Sequence, residues 1–191
     1  DDLGDIEFTG EVAVENFKKI KTFVKDVLVS DQKLVSLGGD HSVSWPILDA
    51  HLDIWGTLDI LHIDAHPDLY DSLLGNKLSH ASPFARIMET GRASRLVQVG
   101  IRTLNKHQRE QAEKFGVEIY QMKDLTKLSS LSFSKPVYCS IDIDALDPAY
   151  APGVSHFEPG GLSTRQLIDC LNGFKGRLIG ADIVEYNPKR D

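Results

Sequence analysis

The sequence predicts an α/β protein with three layers, in which helices cover both faces of a mostly parallel central sheet. Three observations support this prediction. The spacing of apolar residues switches repeatedly between a helical period and short β-rich runs, which is typical of alternating helices and strands. The run Leu58–Ile63 is apolar at most positions, as expected for a strand that is buried on both faces. The length of 191 residues suits one domain with a sizeable core.

The elements are predicted in order from these patterns. An amphipathic pattern predicts a first helix over residues 12–29, and a short β-rich run predicts a strand over 33–37. Five further β-rich runs predict strands over 58–63, 95–99, 116–121, 136–141 and 178–185. Apolar residues at helical spacing predict further helices over 43–51, 82–89, 104–115 and 163–171.

Composition and charge narrow the class of protein. The chain has 28 acidic and 21 basic side chains and a net charge of −7, which argues against non-specific nucleic-acid binding. No apolar run is long enough to cross a membrane, and the first residues are acidic where a signal peptide is basic. Cys139 and Cys170 lie in apolar patterns and are expected to be buried thiols. We therefore expect an intracellular protein, cytoplasmic by default, with an organelle such as the mitochondrion as the alternative.

Polar clusters follow three of the predicted strands. They are LGGDHS at 37–42, HIDAHPD at 62–68 and SIDIDALDP at 140–148. In an extended chain, residues two apart face the same way, so Asp64, His66 and Asp68 can converge, and so can Asp142 and Asp144. Because ligands bind at the carboxyl ends of strands in open α/β sheets, we expect His41 to join them.

This cluster of two imidazoles and four carboxylates predicts a metal centre. Buried charges are tolerated when they are paired or bound to a metal, and six such groups suit two ions about 3.5–4 Å apart. Oxygen-rich ligation with few imidazoles favours Mn²⁺ over Zn²⁺. Such a pair lowers the pKa of a water and supplies hydroxide, which implies a hydrolysis reaction. A single acidic pair at a strand end is more often a cap or turn, so the prediction depends on all three clusters.

The same residues resemble the ureohydrolases, the family of arginases and agmatinases that hydrolyse guanidino compounds. The matching motifs are GDHS at 39–42, DAHPD at 64–68 and SIDIDALDPAYAPG at 140–153. The similarity continues through VGIR at 99–102, GGLS at 160–163 and DIVEYNP at 182–188. Within the family, the chain is most similar to plant-type arginases at GNKLSHAS, residues 75–82, and GVSHFEPG, residues 153–160.

The resemblance implies roles for individual residues. It implies that a binuclear manganese centre is held by His41, Asp64, His66, Asp68, Asp142 and Asp144. His80 matches the histidine that assists departure of the amine, Glu185 matches the glutamate that pairs with the guanidinium, and Asp68 would orient the hydroxide. His62 is expected to have a core or supporting role, whereas His51 and His107 are expected at the surface.

The part of the site that would hold the substrate's tail departs from animal-type arginases. Tyr70 replaces an asparagine and His156 replaces a threonine. Candidates for contacting the tail are therefore Asn76, Ser79 and His156. Whether the substrate is arginine or agmatine stays open at this point.

The predicted function is a manganese-dependent arginase that acts on a cationic guanidino substrate. Agmatinase or another guanidino hydrolase is the nearest alternative, and a non-catalytic metal-binding protein is an alternative of a different class. The resemblance further implies a homo-oligomer, a trimer or hexamer. Residues 1–191 form one predicted domain, expected to be a piece of a longer chain that is truncated at both ends.

Overall fold

A computed structural model describes residues 1–8, 12–28, 32–125 and 131–191. Within these residues, six strands and five α-helices follow one another in the order that the sequence predicts. The strands are β1 Leu34–Leu37, β2 Leu58–Ile63, β3 Ala93–Ile101, β4 Glu118–Gln121, β5 Ser132–Asp142 and β6 Lys175–Val184. The helices are α1 Ala13–Val27, α2 Ser44–Trp55, α3 Pro83–Glu89, α4 Lys106–Phe115 and α5 Thr164–Gly173. The predicted end of the first helix at Val29 lies outside the described residues.

The strands form one sheet in the order β1-β6-β5-β2-β3-β4, and every pair of neighbours is parallel. The carboxyl ends of all six strands therefore meet at the same edge of the sheet. The register places His62 on β2 between Ser140 on β5 and Gln98 on β3. It also places Ser140 beside Asp182 on β6. These lateral neighbours determine which buried polar groups can hydrogen-bond.

The core has two parts, one on each face of the sheet. On one face, α1, α2 and α3 pack their apolar side chains against strand residues such as Ile60 and Tyr138. On the other face, α5 packs against strand residues such as Leu61 and Val137. The predicted three-layer arrangement is thus confirmed. Cys139 and Cys170 are buried free thiols, as predicted.

Helix α2 differs from its prediction. It continues one turn beyond His51 and ends at Trp55, where Gly56 adopts a left-handed conformation with φ 72°. The prediction of His51 at the surface is wrong, because its ring is fully buried against the sheet. The ring meets the Tyr138 ring edge-on at 4.7 Å, and Nδ1 lies 2.9 Å from the Ile47 carbonyl oxygen. His107 is exposed, as predicted.

Strand β1 forms one edge of the sheet. Among the described residues, no strand pairs with its outer side. Val35 and Leu37 on this strand are 59% and 78% exposed. No helix in the described part of the chain is both long enough and apolar enough to span a membrane.

Candidate metal centre

The six predicted ligands lie together at the carboxyl ends of β1, β2 and β5. Two short 3-10 turns orient them. The Asp40 carboxylate accepts a hydrogen bond from the Ser42 N–H at 3.1 Å and caps the turn that begins at His41. Asp142 caps the turn Ile143–Ala145 in the same way, with Oδ1 2.8 Å from the Asp144 nitrogen. Capping by aspartate is favoured because its short side chain satisfies free N–H groups at the start of a turn.

The first half of the centre surrounds His41. Its Nδ1 atom lies 3.0 Å from Asp68 Oδ2, 3.2 Å from Asp142 Oδ2 and 3.3 Å from Asp64 Oδ2. The imidazole is buried, yet Nδ1 makes no hydrogen bond of normal geometry with any described residue. One nitrogen surrounded by three carboxylate oxygens is the donor set of a divalent cation site.

The second half surrounds His66, which is partly exposed. Its Nδ1 atom lies 3.0 Å from Asp144 Oδ2 and 3.4 Å from Asp64 Oδ1. Asp64 therefore contacts both histidines and connects the two halves. Each half therefore has one imidazole, and the two halves share the carboxylate of Asp64. Such an arrangement suits a centre for two ions.

Three of the aspartates use one carboxylate oxygen to accept a backbone hydrogen bond and direct the other at the cluster. Oδ1 of Asp64 accepts a hydrogen bond from the His66 N–H at 2.6 Å, and Oδ1 of Asp144 accepts one from the Ala65 N–H at 3.3 Å. The opposite oxygen, Oδ2, of Asp64, Asp142 and Asp144 faces an imidazole. The backbone thus holds Oδ2 of these carboxylates toward the cluster, and Oδ1 of Asp64 also faces His66 Nδ1 at 3.4 Å, so little rearrangement is needed to bind cations.

Burial and mutual repulsion make this cluster hold protons in the absence of cations. Burial and the charge of Asp64 raise the pKa of Asp142 well above its usual value, and they raise the pKa of Asp68 to about 6. Burial lowers the pKa of His66, but the carboxylates of Asp144 and Asp64 outweigh burial and raise it to about 12. Cations would relieve the repulsion and displace these protons, so the residues fit a metal centre.

A buried relay of hydrogen bonds, from Tyr138 through Asp182 and Ser140, orients the His41 ring. Tyr138 Oη donates to Asp182 Oδ2 at 2.9 Å, and Ser140 Oγ donates to Asp182 Oδ1 at 2.6 Å. Because Ser140 uses its proton for Asp182, its oxygen accepts from His41 Nε2–H at 3.0 Å. The relay thus keeps a proton on Nε2 and turns Nδ1 toward the carboxylates. No role had been predicted for Tyr138, Ser140 or Asp182, because their contact depends on the lateral order of the strands.

His62 lies beside the cluster, in agreement with the predicted supporting role. Its ring is fully buried, and Nε2 lies 2.7 Å from Asp64 Oδ2. Burial lowers the pKa of His62 to about 4, so the ring is neutral at physiological pH.

A cavity of about 260 Å³ opens onto the centre. Its walls include His80, His156 and Glu185 together with four of the predicted ligands. The rings of His80 and His156 stack with centroids 5.8 Å apart. Glu185 adopts a left-handed backbone with φ 65° directly after β6, and its Oε1 accepts a hydrogen bond from the His41 N–H at 2.8 Å. The carboxylate is therefore anchored at the edge of the cluster.

The remaining residues predicted to contact the substrate's tail lie elsewhere. Asn76 is exposed, and its Oδ1 accepts a hydrogen bond from the Leu78 N–H at 2.9 Å. Ser79 is buried in its loop, where Oγ lies 3.2 Å from Ser82 Oγ. Neither residue is among those that line the cavity, whereas Tyr70 and Glu158 are.

Arg102 holds the loops around the site together, although no role had been predicted for it. Its guanidinium donates to the carbonyl oxygen of Asp144 at 2.7 Å and, through two nitrogens, to that of Glu158 at 2.9 and 2.7 Å. The loops pack closely here, since a Cβ atom on Gly161 would lie 2.5 Å from the Asp147 nitrogen and 2.7 Å from the guanidinium. The signal for this role is a lone arginine directly after the apolar run of β3.

Replacing Arg102 with methionine is expected to loosen these loops, because several carbonyl oxygens lose a charged donor. We expect a decrease of about 2–4 kcal/mol in the free energy of unfolding and a loss of at least about tenfold in Mn²⁺ affinity. Chemical denaturation and calorimetric titration measure the two effects. Arg165→Met is the matched control, because Arg165 is exposed and pairs with Asp169 one turn away at 3.5 Å. Equal behaviour of the two variants would contradict this role.

Metal binding is expected to stabilise the protein more strongly as the pH rises. The pKa values of His66 and Asp142 are raised, so the folded metal-free protein holds more protons than the unfolded chain. The stability of the metal-free protein therefore falls with rising pH. At the same time, protons compete less strongly with Mn²⁺ for the ligand atoms. The gain in Tm on adding Mn²⁺ should increase from about pH 5.5 to about pH 8. A gain that stays constant or shrinks would contradict this expectation, and thermal melts with and without Mn²⁺ across this range decide it.

The fold and the cluster together define a class of protein: an α/β protein with a candidate two-ion centre at the carboxyl ends of its strands. Comparison with known proteins then gives the family. The model of the Arginase family matches residues 1–191, and the chain belongs to that family.

Relatives and solved structures agree with this assignment. The chain is 50% identical over 204 residues to a protein named arginase 2, chloroplastic/mitochondrial, from Arabidopsis thaliana, with 100% of this chain and 59% of the relative covered. It is 35% identical over 196 residues to an agmatinase from Bacillus cereus, covering 100% of this chain and 68% of that one. A solved arginase from Medicago truncatula superposes with a TM-score of 0.90 at 49% identity, covering 94% of this chain and 59% of that one. The chain thus spans about three fifths of the length of these two plant proteins.

Proposed function

We propose that the protein hydrolyses the guanidino group of L-arginine to give L-ornithine and urea, in a site that holds two Mn²⁺ ions. The observation that supports this most strongly is the convergence of two imidazoles and four carboxylates in one cluster, four members of which line a cavity together with Glu185 and His80. The names of the plant relatives support arginine as the substrate.

The ligands divide between the two ions as the contacts suggest. His41, Asp64, Asp68 and Asp142 would hold one ion, and His66, Asp64 and Asp144 would hold the other. Manganese is proposed because most of these donors are oxygens. Two such ions supply hydroxide at neutral pH by lowering the pKa of a water.

Substrate orientation is assigned to Glu185. Its carboxylate lines the cavity, and the backbone of His41 anchors one of its oxygens. A planar guanidinium donates to a carboxylate through two parallel N–H groups, which fixes both its position and its plane. Glu185 would therefore hold the guanidino carbon facing the ligand cluster, where Asp68 orients the attacking water.

Departure of the amine is assigned to His80. As the new C–O bond forms at the guanidino carbon, the bond from this carbon to the alkyl-bearing nitrogen must break, and that nitrogen must gain a proton. His80 is partly exposed on the cavity wall and stacked on His156, so it can take a proton from solvent and deliver it. The products are urea and a primary amine.

Agmatine is the second candidate substrate, and one observation favours it. Among the described residues, those that line the cavity include no arginine or lysine that could pair with the α-carboxylate of arginine. Besides His80, the lining residues His156, Tyr70, Thr103 and Gln108 have side chains that could donate a hydrogen bond to a carboxylate instead. The same lack of arginine and lysine side chains disfavours a phosphate ester as the substrate, because a phosphate group needs such side chains to hold it.

Release of urea tests the proposal. The purified protein is loaded with Mn²⁺ and supplied with arginine or agmatine, with His66→Ala as the control that removes one ligand of the second ion. We expect manganese-dependent urea from arginine and at least about 1000-fold less from the variant. Selectivity for agmatine would support the second candidate. Folded, manganese-loaded protein that releases no urea from either compound would contradict the proposal and favour a non-catalytic metal-binding role.

The assembly and compartment of the protein also belong to this proposal. Relatives from Arabidopsis and rice are named as mitochondrial or chloroplastic proteins, which supports an organelle over the cytoplasm. A homo-oligomer, a trimer or hexamer, is proposed from the resemblance to arginases. Light scattering during size-exclusion chromatography measures this directly, and a monomer would contradict it.

A further inference from the structure

Gln98 and His62 form a buried polar pair behind the ligand cluster. They lie side by side on β3 and β2, and both are fully buried. Gln98 Nε2 lies 2.6 Å from the Pro67 carbonyl oxygen and 3.0 Å from His62 Nδ1. On the other side of the ring, His62 Nε2 lies 2.7 Å from Asp64 Oδ2. A continuous chain of contacts thus leads from a residue outside the cluster to the carboxylate that both halves share.

The chemistry of these groups determines where the protons lie. A carbonyl oxygen only accepts hydrogen bonds, so the Gln98 atom that faces Pro67 is the amide nitrogen. Its second N–H then donates to His62 Nδ1, which must be unprotonated to accept it. A neutral imidazole with a bare Nδ1 carries its proton on Nε2, and this proton points at Asp64 Oδ2.

This arrangement also excludes His62 as a metal ligand. His41, His62 and Asp64 are close enough together to be considered as a cation site. Both nitrogens of His62 are nevertheless occupied, one by accepting from Gln98 and the other by its own proton. His62 therefore has no lone pair for a cation, and it acts on the centre only through Asp64.

We propose that Gln98 is a positioning residue for the metal centre: it holds His62 in the tautomer that donates to Asp64 Oδ2, and so fixes the plane of the shared carboxylate. This inference rests on the proposed two-ion centre. The reversed tautomer would place a lone pair 2.7 Å from a carboxylate oxygen, and Asp64 would have to rotate away. The Phe84 ring, stacked on His62 with centroids 3.8 Å apart, keeps the imidazole in place.

Gln98 contains a buried polar atom without a partner among the described residues, and this agrees with a positioning role. Its Oε1 atom is buried and has no hydrogen-bond partner among the described residues. An unpaired buried acceptor destabilises a fold, so an apolar side chain would suit a purely structural position better. An amide side chain is present at this position because its two N–H groups donate to the Pro67 carbonyl oxygen and to His62 Nδ1.

Gln98→Met tests the proposal, because methionine keeps the length of the side chain and removes both donors. Gln111→Met is the matched control: Gln111 is also buried, and its Nε2 donates to the Leu69 carbonyl oxygen at 3.2 Å, whereas the His62 nitrogens face Gln98 and Asp64. Long-range ¹H–¹⁵N spectra of the metal-free proteins report the tautomer of His62. Calorimetric titration reports the affinity for Mn²⁺, and thermal melts of the metal-free proteins report any general loss of stability.

We expect wild-type His62 and the Gln111→Met variant to show the Nε2–H tautomer, and Gln98→Met to lose it. Mn²⁺ affinity should fall about 10- to 100-fold in Gln98→Met and less than about threefold in the control. Wild-type His62 protonated on Nδ1 would overturn the proposal, and this test does not depend on whether Gln98→Met folds. A Gln98→Met variant that binds Mn²⁺ normally would also overturn it. Wild-type protein with the Nε2–H tautomer but no bound Mn²⁺ would instead contradict the proposed function.

Discussion

Asp142→Asn is expected to abolish manganese-dependent activity without destabilising the metal-free protein. Burial and the charge of Asp64 raise the pKa of Asp142 well above its usual value, so its charged form is unfavourable in the absence of metal. Asparagine keeps Oδ1, which accepts the hydrogen bond from the Asp144 N–H at 2.8 Å, and removes the charge that a cation needs. We expect activity to fall at least about 1000-fold and the Tm of the metal-free protein to stay equal or rise.

Asp59→Asn is the matched control for this prediction. Asp59 is also buried, but it lies near the opposite end of β2, where its carboxylate accepts hydrogen bonds from Ser94 Oγ at 2.7 Å and the Lys135 N–H at 3.3 Å. This variant should lose stability and keep Mn²⁺ binding, the reverse of Asp142→Asn. Calorimetric titration and thermal melts of both variants measure the contrast. A marked loss of metal-free stability in Asp142→Asn would show that the residue is structural.

Glu185→Gln is expected to reduce kcat/KM by about 100- to 1000-fold while both Mn²⁺ ions still bind. Glutamine is equal in size, and its Oε1 can still accept the hydrogen bond from the His41 N–H at 2.8 Å. It presents one neutral oxygen in place of a carboxylate, so the bidentate, charge-assisted pair with the guanidinium is lost. Steady-state kinetics with arginine measure the effect, and metal analysis of the same samples confirms that the centre is intact.

Glu158→Gln tests whether this effect is specific to Glu185. Glu158 also lines the cavity, and its Oε1 lies 3.5 Å from His66 Nε2, on the far side of that ring from the ligand cluster. We expect its substitution to change kcat/KM by less than about tenfold. A larger effect for Glu158→Gln than for Glu185→Gln would move recognition of the guanidinium to Glu158.

The order of strands and helices was predictable because each element has a local pattern. The convergence of the ligands was also predictable, but the geometry expected for it was wrong. The prediction assumed an extended chain in which residues two apart face the same way. Asp68 instead has a left-handed backbone with φ 49°, and Asp144 lies in a 3-10 turn. Turns directly after the strands, rather than alternation within them, bring the carboxylates together.

Apart from His62, the groups that support the ligands were not predictable from the sequence, because they depend on contacts between distant elements. Asp182 contacts Ser140 only because β6 pairs with β5, and Gln98 contacts His62 only because β3 pairs with β2. A local pattern does not specify which strands are neighbours. The burial of His51 was missed for the same reason, since the Tyr138 ring that covers it comes from β5.

Counting the bound metal tests the two-ion centre most directly. The purified protein is saturated with Mn²⁺, freed of excess metal and examined by metal analysis and by electron paramagnetic resonance. The two halves around His41 and His66, linked through Asp64, predict two Mn²⁺ ions per chain with magnetic coupling between them, and one uncoupled ion in His66→Ala. One ion per chain in the wild-type protein, or two ions without coupling, would contradict the shared centre on which the proposed hydrolysis depends.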